Sequence, residues 1–270
     1  MERTFIMGKI ISCNNQKGGS GKTATSINIA KGLSDDGFKV LLVDLDLQAN
    51  TSSKFLKDYE SMNGIVEAIR DGLSLREVIY RTKYPKLDVI PTKLEWIDVM
   101  EEIASQDHIE RHEGTENKAI KIIKNLLEPY RNEYDFIILD NNPSYLTILR
   151  NCIYAADYII VPVNIDMNAI KGVDYMIRFI TEVIANSDED ISCRPKILIT
   201  KRTRTRIAEE VVESVKEMFS DYMFETTVAN QIAPAEKQTF IEDYFMINNI
   251  KSKVGRDYRN LVDEIGKEMN

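Results

Sequence analysis

One stretch near the start of the chain has residue types and spacing suited to holding phosphates: Cys13-Asn14-Asn15-Gln16-Lys17-Gly18-Gly19-Ser20-Gly21-Lys22-Thr23. Ile10-Ile11 lead into it as a strand, and Ile27, Ala30 and Leu33 follow at helical spacing on one face. A strand, a glycine-rich turn and a helix make a phosphate-binding loop. The glycines let backbone N–H groups crowd round an anion, and the helix N-terminus adds partial positive charge. Lys22 can reach the β- and γ-phosphates, and the Thr23 hydroxyl is placed to ligate Mg²⁺. Gly18, Gly19, Ser20, Gly21 and Ala24 complete the candidate phosphate contacts. The bland alternative is a glycine-rich turn that binds nothing. Two lysines, three glycines and a threonine in register after a strand weigh against it.

Phosphoryl transfer assisted by Mg²⁺ also needs carboxylates at the ends of strands beside such a loop. Asp44 and Asp46 close the run Val40-Leu41-Leu42-Val43-Asp44-Leu45-Asp46, and Asp140 closes Phe136-Ile137-Ile138-Leu139-Asp140. Each alone could be a polar strand end or a helix cap. With the loop upstream, a nucleotide role is the stronger reading.

A generic phosphate loop has glycine where this chain has Gln16, and Lys17 stands at the entrance instead. This resembles the deviant Walker A box of the ParA/MinD/nitrogenase-iron-protein superfamily. The match extends further. Asp44-Leu45-Asp46-Leu47-Gln48-Ala49-Asn50 is similar to the Asp-x-Asp-Pro-Gln-Gly-Asn of ParA-type partition ATPases. Tyr134-Asp135-Phe136-Ile137-Ile138-Leu139-Asp140-Asn141-Asn142-Pro143-Ser144 resembles their Walker B segment. Ala155-Ala156-Asp157 through Val161-Pro162-Val163-Asn164 resembles a later strand, with Asp166 where relatives carry glutamate and Gly172 at a matching helix glycine. The resemblance implies that Lys17 reaches a partner subunit's nucleotide and that Asp46 positions the attacking water. It further implies that Asp44 lies in the Mg²⁺ shell and that Asp140 holds Mg²⁺ through water. Lys201 and Asn230 are the candidates beside the adenine. Leu47, Ala49 and Asn142 depart from the family's proline, glycine and proline.

Within the superfamily, the three cysteines Cys13, Cys152 and Cys193 are too scattered for an iron–sulfur bridge and read as buried thiols of a reducing compartment. The last helical stretch, from Tyr258, mixes acidic residues into its polar face, unlike the basic membrane helix of MinD relatives. No helix-turn-helix fits before Gln16. A short, Soj-like partition ATPase follows from the resemblance. It would be a homodimer with ATP and Mg²⁺, bound to duplex DNA without sequence preference and stimulated by a centromere-binding ParB-type adaptor. It would be cytoplasmic and nucleoid-associated, with no stable membrane association. The alternatives are a MinD-like membrane-cycling ATPase and a small-molecule kinase or ligase built on the same loop.

These residues need a frame. Strand-like runs at 38–44, 87–91, 134–140, 156–163, 195–200 and 222–228 follow the first strand and alternate with helical segments. They predict an α/β fold: one doubly wound, mostly parallel sheet with helices on both faces, spanning residues 1–270 as a single domain. The polar segment Glu101 to Lys118 carries His108 and His112 one helical turn apart, without an evident third metal ligand. The 270 residues carry a net charge of −8, which argues against a surface that binds polyanions everywhere. Local patches remain possible. Lys201, Arg202, Arg204 and Arg206 form the densest basic run, and Lys251, Lys253 and Arg256 form a second group. Both are candidate DNA contacts, against the plainer reading of solvated charges that offset Glu209, Glu210 and Glu213.

Overall fold

The computed structural model describes residues 7–115, 117–141, 146–166, 168–203, 205–231, 237 and 245–269. Seven strands form one sheet: β1 Lys9–Cys13, β2 Val40–Leu45, β3 Tyr80–Arg81, β4 Leu87–Ile90, β5 Phe136–Asn141, β6 Tyr158–Asn164 and β7 Arg194–Thr200. Their order is β3-β4-β2-β5-β1-β6-β7. Every pairing is parallel except β3 with β4. The continuous apolar runs of β2 and β5 are buried along their whole length, as a sheet covered on both faces requires.

Ten helices are described: α1 Lys22–Asp35, α2 Asn50–Phe55, α3 Ile65–Arg70, α4 Leu75–Val78, α5 Trp96–Glu113, α6 Ile122–Leu127, α7 Leu146–Ala155, α8 Ala169–Ala185, α9 Arg206–Phe219 and α10 Lys253–Glu268. The strands alternate their side chains between two cores. Ile10 joins α3, α5, α7 and α8 in one, while Ile11 and Cys13 join α1 and α10 in the other. Helices therefore cover both faces of a mostly parallel sheet, as the alternating pattern predicts.

Two elements differ from expectation. The stretch 222–228 is not a strand. It touches the edge strand β7 through a single bridge, Ile197 to Met223, and a second bridge just beyond both joins Arg202 to Ala229. Between them the backbone N–H groups of Glu225 and Thr226 turn to the Glu264 carboxylate of α10, at 2.7 and 3.0 Å. A side chain thus takes the place of a neighbouring strand. The seventh strand is instead β3, two residues long and antiparallel at the opposite edge.

The segment with both histidines is helical to Glu113, and the His108 and His112 rings lie edge to face at 6.5 Å. Among the described residues no cluster of three or more His, Cys, Asp or Glu is arranged to hold a metal. All three cysteines are free and buried. No helix of the described residues is long and apolar enough to cross a membrane. The apolar face of α10 is spent on the core, with Leu261 and Ile265 fully buried.

The packing of α10 on α1 is close. A Cβ placed on Gly32 would lie 2.5 Å from Ile247 Cδ1 and 2.6 Å from Val262 Cγ2. Gly32→Ala is therefore expected to destabilise the fold by about 1–3 kcal/mol through overpacking, less the small gain in helix propensity. Urea unfolding measures this. A midpoint at or above wild type would show that the interface can yield.

Candidate phosphate loop and carboxylate pair

The register of the sheet lines up the site. Cys13 is opposite Asp140, and Asp140 is opposite Asp44, so the ends of β1, β5 and β2 form one row. Ligands of such sheets sit at the carboxyl ends of the strands, where the connections diverge to either side. Here β1 lies between β5 and β6, and the chain runs one way to β2 and the other way to β7.

The loop from Asn14 to Gly21 turns over this row. Gly19 and Gly21 take φ of 69° and 96°, a left-handed conformation that aims successive N–H groups into one concavity. Around Gly18 a Cβ would meet nothing within 4 Å, so there is open space above the loop. Ser20 Oγ is buried and without a partner among the described residues. The Lys22 amine is buried, and that burial pulls its pKa down while the carboxylates of Asp140 and Asp46 push it back up. An open nest with a buried cation beside it fits a polyphosphate.

The far wall of the loop is pinned by β6 and β7. Asn164 Nδ2 donates to Gly19 O at 3.0 Å, Thr200 Oγ1 to Ser20 O at 2.8 Å, and Lys201 Nζ to Gly19 O at 2.8 Å. Lys201 itself sits at φ 50°. Asn230 lies alongside, its N–H donating to Arg202 O at 3.0 Å. The structure thus brings Lys201 and Asn230 together on the β7 side of the loop. Ala24 is in the first turn of α1, half-buried.

The carboxylates separate into roles by their partners. Asp140 is fully buried and accepts from Thr51 Oγ1 at 2.7 Å, from Ser26 Oγ at 3.1 Å and from the Thr23 hydroxyl. Asp44 is also fully buried, and both its oxygens are engaged. Oδ1 accepts from the Asp46 N–H at 3.0 Å, and Oδ2 accepts from Ser52 N and Ser52 Oγ at 2.7 Å each. Asp46, just past the end of β2, is buried too and accepts from the Gln48 N–H at 3.1 Å. The bend that follows carries Ala49 at φ 48°, where the family has glycine. An alanine held there stores strain of about 1 kcal/mol.

Thr51 and Ser52, which hold the two buried carboxylates, escaped the sequence reading. They lie on the first turns of α2, and no local motif marks them. Asn164 and Thr200 likewise gain their role only from the pairing of β6 with β7.

Lys17 and Lys22 differ sharply. Lys22 points inward. Lys17 is half-exposed, and its ammonium leaves the loop to pair with Asp166 beyond β6, which holds that carboxyl below the ordinary range. Among the described basic residues of the two candidate DNA groups, Arg202 is tied to Glu209 at 2.6 Å and Lys253 to Asp257 at 2.6 Å. Arg256 caps the carbonyls of Ile250 and Lys251 at 3.1 and 2.9 Å. Arg206 meets Glu210 at 2.9 Å but is almost fully exposed, and Lys251 is exposed. Arg204 lies outside the described residues.

Burial raises the pKa of both Asp44 and Asp140 above the ordinary carboxylate range, helped at Asp44 by the charge of Asp140 and at Asp140 by that of Asp46. The folded protein then holds protons that the unfolded chain has released. Its stability must fall as pH rises from about 4 toward neutrality. Removing one charge lifts this penalty. Relative to wild type, Asp44→Asn should gain on the order of 1–2 kcal/mol between about pH 5 and pH 8 in metal-free buffer. Urea midpoints of both proteins across that range test it, and a constant difference would mean the pair does not titrate there.

Comparison with known proteins completes the picture. Residues 8–193 match a family model described as an AAA domain. The chromosome partitioning protein ParA of Myxococcus xanthus is 30% identical over 262 residues, 97% of this chain and 89% of that protein. A plasmid partition protein of Borrelia burgdorferi, solved with AMPPNP bound, superposes with a TM-score of 0.78 at 22% identity, covering 97% of this chain and 100% of that one. Cobyrinic acid a,c-diamide synthase of Mycobacterium smegmatis, solved with ADP and magnesium, gives 0.78 at 22% identity over 98% of this chain and 97% of that one. These last two share the fold. With the phosphate loop, the paired carboxylates and the sheet order already in place, the chain belongs to the ParA family of P-loop partition ATPases.

Proposed function

We propose that this chain, acting as one domain, hydrolyses ATP while clasped in a dimer of two copies, and that this cycle moves DNA. The observation that carries the reading is the divergence of the two loop lysines. Lys22 is buried at its own loop, whereas Lys17 is turned outward to Asp166 on an exposed rim. A lysine there is free to leave its surface partner, since an exposed ion pair contributes only about 0–1 kcal/mol. It can then serve the nucleotide of a second copy.

Within each copy the loop N–H groups from Gly18 to Ala24 would take the β- and γ-phosphates, with Lys22 between them. Thr23 and Asp140 fit Mg²⁺, which binds one or two carboxylates and otherwise phosphates and water. Bound there, Mg²⁺ would neutralise charge between the terminal phosphates. Asp44 acts one step back, fixing the Asp46 backbone and α2 through Ser52. Asp46 would orient the water that adds to the γ-phosphorus as the bond to ADP breaks.

For DNA, the two basic groups share an edge. Asn230 N–H meets Arg202 O, and the next residue, Gln231, accepts from Val254 N at 3.4 Å. Arg206, Lys251 and Arg204 are the contacts we propose for phosphates, with Lys201, Arg202, Lys253 and Arg256 holding the edge in shape. Such contacts read no bases, and pairing two copies doubles them. A ParB-type adaptor would then trigger hydrolysis. The core-packed α10 speaks against membrane cycling.

Lys22→Ala should weaken ATP binding by about 3 kcal/mol, the scale of a lost charged contact. Lys17→Ala should bind ATP but stay monomeric in light scattering. Asp46→Ala should dimerise yet turn over ATP about a hundredfold more slowly, the loss of a group that acts in the transition state. Wild-type dimerisation by the Lys17 variant would refute the trans role.

The test of the whole reading is duplex-DNA binding with ATP, ADP or no nucleotide. ATP alone should promote it, with steep salt dependence, and Arg206→Ala with Lys251→Ala should flatten the slope by about two ion equivalents per copy. DNA affinity that ignores nucleotide would overturn it.

A further inference from the structure

The phosphate end of the site is fixed by α1, but an elongated nucleotide also needs its other end held at a set distance. The wall on the β7 side is built from a segment that is not a strand. Val228 N–H donates to Ile199 O at 2.8 Å, Arg202 N–H to Val228 O at 3.0 Å, and Asn230 N–H to Arg202 O at 3.0 Å. These bonds carry the segment past the end of β7, beside Thr200 and Lys201, which hold the loop at Ser20 and Gly19. Among the described residues no strand lies beyond its outward N–H groups. Two carboxylates of α10 accept them instead, Glu264 from Glu225 and Thr226, and Asp257 from Ala229 at 2.9 Å. Positions seven apart share one helix face, so a single helix spans the arch. Asp257 is buried, and its second oxygen is held by Lys253 at 2.6 Å.

The same helix is locked to α1. Val262 and Ile247 close over Gly32, and Asn28 Oδ1 accepts the Ile247 N–H at 2.9 Å. The helix that begins at the phosphate loop and the segment that carries Asn230 are therefore tied through one rigid element.

We propose that Asp257 is a positioning residue for the nucleotide: its bond to Ala229 N–H sets the segment that carries Asn230 at the base end, at a distance from the phosphate loop fixed by the packing of α10 on α1. The inference rests on the ATP reading given above. It assigns Asp257 no contact with ATP and no part in the chemical step.

The test compares Mg²⁺-dependent binding of ATP and of inorganic tripolyphosphate, which has no base. Asp257→Ala should weaken ATP about tenfold, the scale of one lost charge-assisted bond. Tripolyphosphate binding should stay within about twofold of wild type, since the phosphate loop is untouched. Asp257→Asn keeps an oxygen that can accept from Ala229 and should restore most of the ATP affinity. If the alanine variant does not fold, Asp257→Ser takes its place with the same expected pattern. Equal loss of both ligands would reveal a merely structural role and overturn the inference. So would ATP affinity that stays at the wild-type level, or an asparagine variant as weak as the alanine. A wild-type chain that binds tripolyphosphate no less tightly than ATP would remove the base-end contact itself. One that binds neither ligand would overturn the ATP reading, and the inference with it.

Discussion

Two fully buried carboxylates face each other across adjacent strands, and the buried Lys22 amine stands beside one of them, Asp140. That constraint shapes everything near it. Asp44 and Asp140 are register partners on β2 and β5, both fully buried. Like charges so placed are costly unless other groups answer them. The chain answers with hydroxyls: Ser52 for Asp44, and Thr23, Ser26 and Thr51 for Asp140. Those hydroxyls come from the start of α1 and from α2. The requirement to satisfy two buried charges therefore folds the segment after β2 against the phosphate loop. It also leaves the site short of positive charge, which is what a divalent cation would supply.

The same logic separates Asp44 from Asp46. Two residues apart on an extended strand, their side chains share a face, but β2 ends at Leu45 and the backbone turns. The Asp46 N–H then bonds back to Asp44, and Asp46 is carried past the end of the strand. One carboxylate braces the bend, and the other stands beyond the end of the strand, accepting from the Gln48 N–H. The left-handed turn at Ala49 completes this bend at a cost that glycine would not incur.

Much of the fold was legible because a sheet buried on both faces writes itself as unbroken apolar runs. Phe136 to Leu139 and Val40 to Val43 could be read this way, and the aspartates that end them marked the site. The edges were not legible. Tyr80–Arg81 is too short to show a period. The stretch 222–228 has strand-like residues, yet Glu264 takes its N–H groups from a helix many residues later. The phosphate loop was readable because its chemistry is local. Ser52, Thr200 and Asp257 were not, because each acts on a partner brought close only by the tertiary fold.

In the proposed dimer, the outward turn of Lys17 would have a consequence for how two copies meet. A cation cannot approach a partner's phosphates while it is neutralised by Asp166, and Asp166 sits on the connection between β6 and α8 rather than in the loop. Exchange of a surface carboxylate for a phosphate is favourable on charge alone, since the phosphate carries more of it and offers more acceptor oxygens. It is also conditional, because the phosphate is present only when nucleotide is. In the proposed dimer, the pair with Asp166 would let the free chain keep Lys17 satisfied, so that the gain from joining two copies would appear only when both loops are filled. Aspartate, one methylene shorter than the glutamate of the family pattern, holds that lysine close to its own rim, and in the proposed dimer the strength of this local pair would be set against the pull of the partner's site.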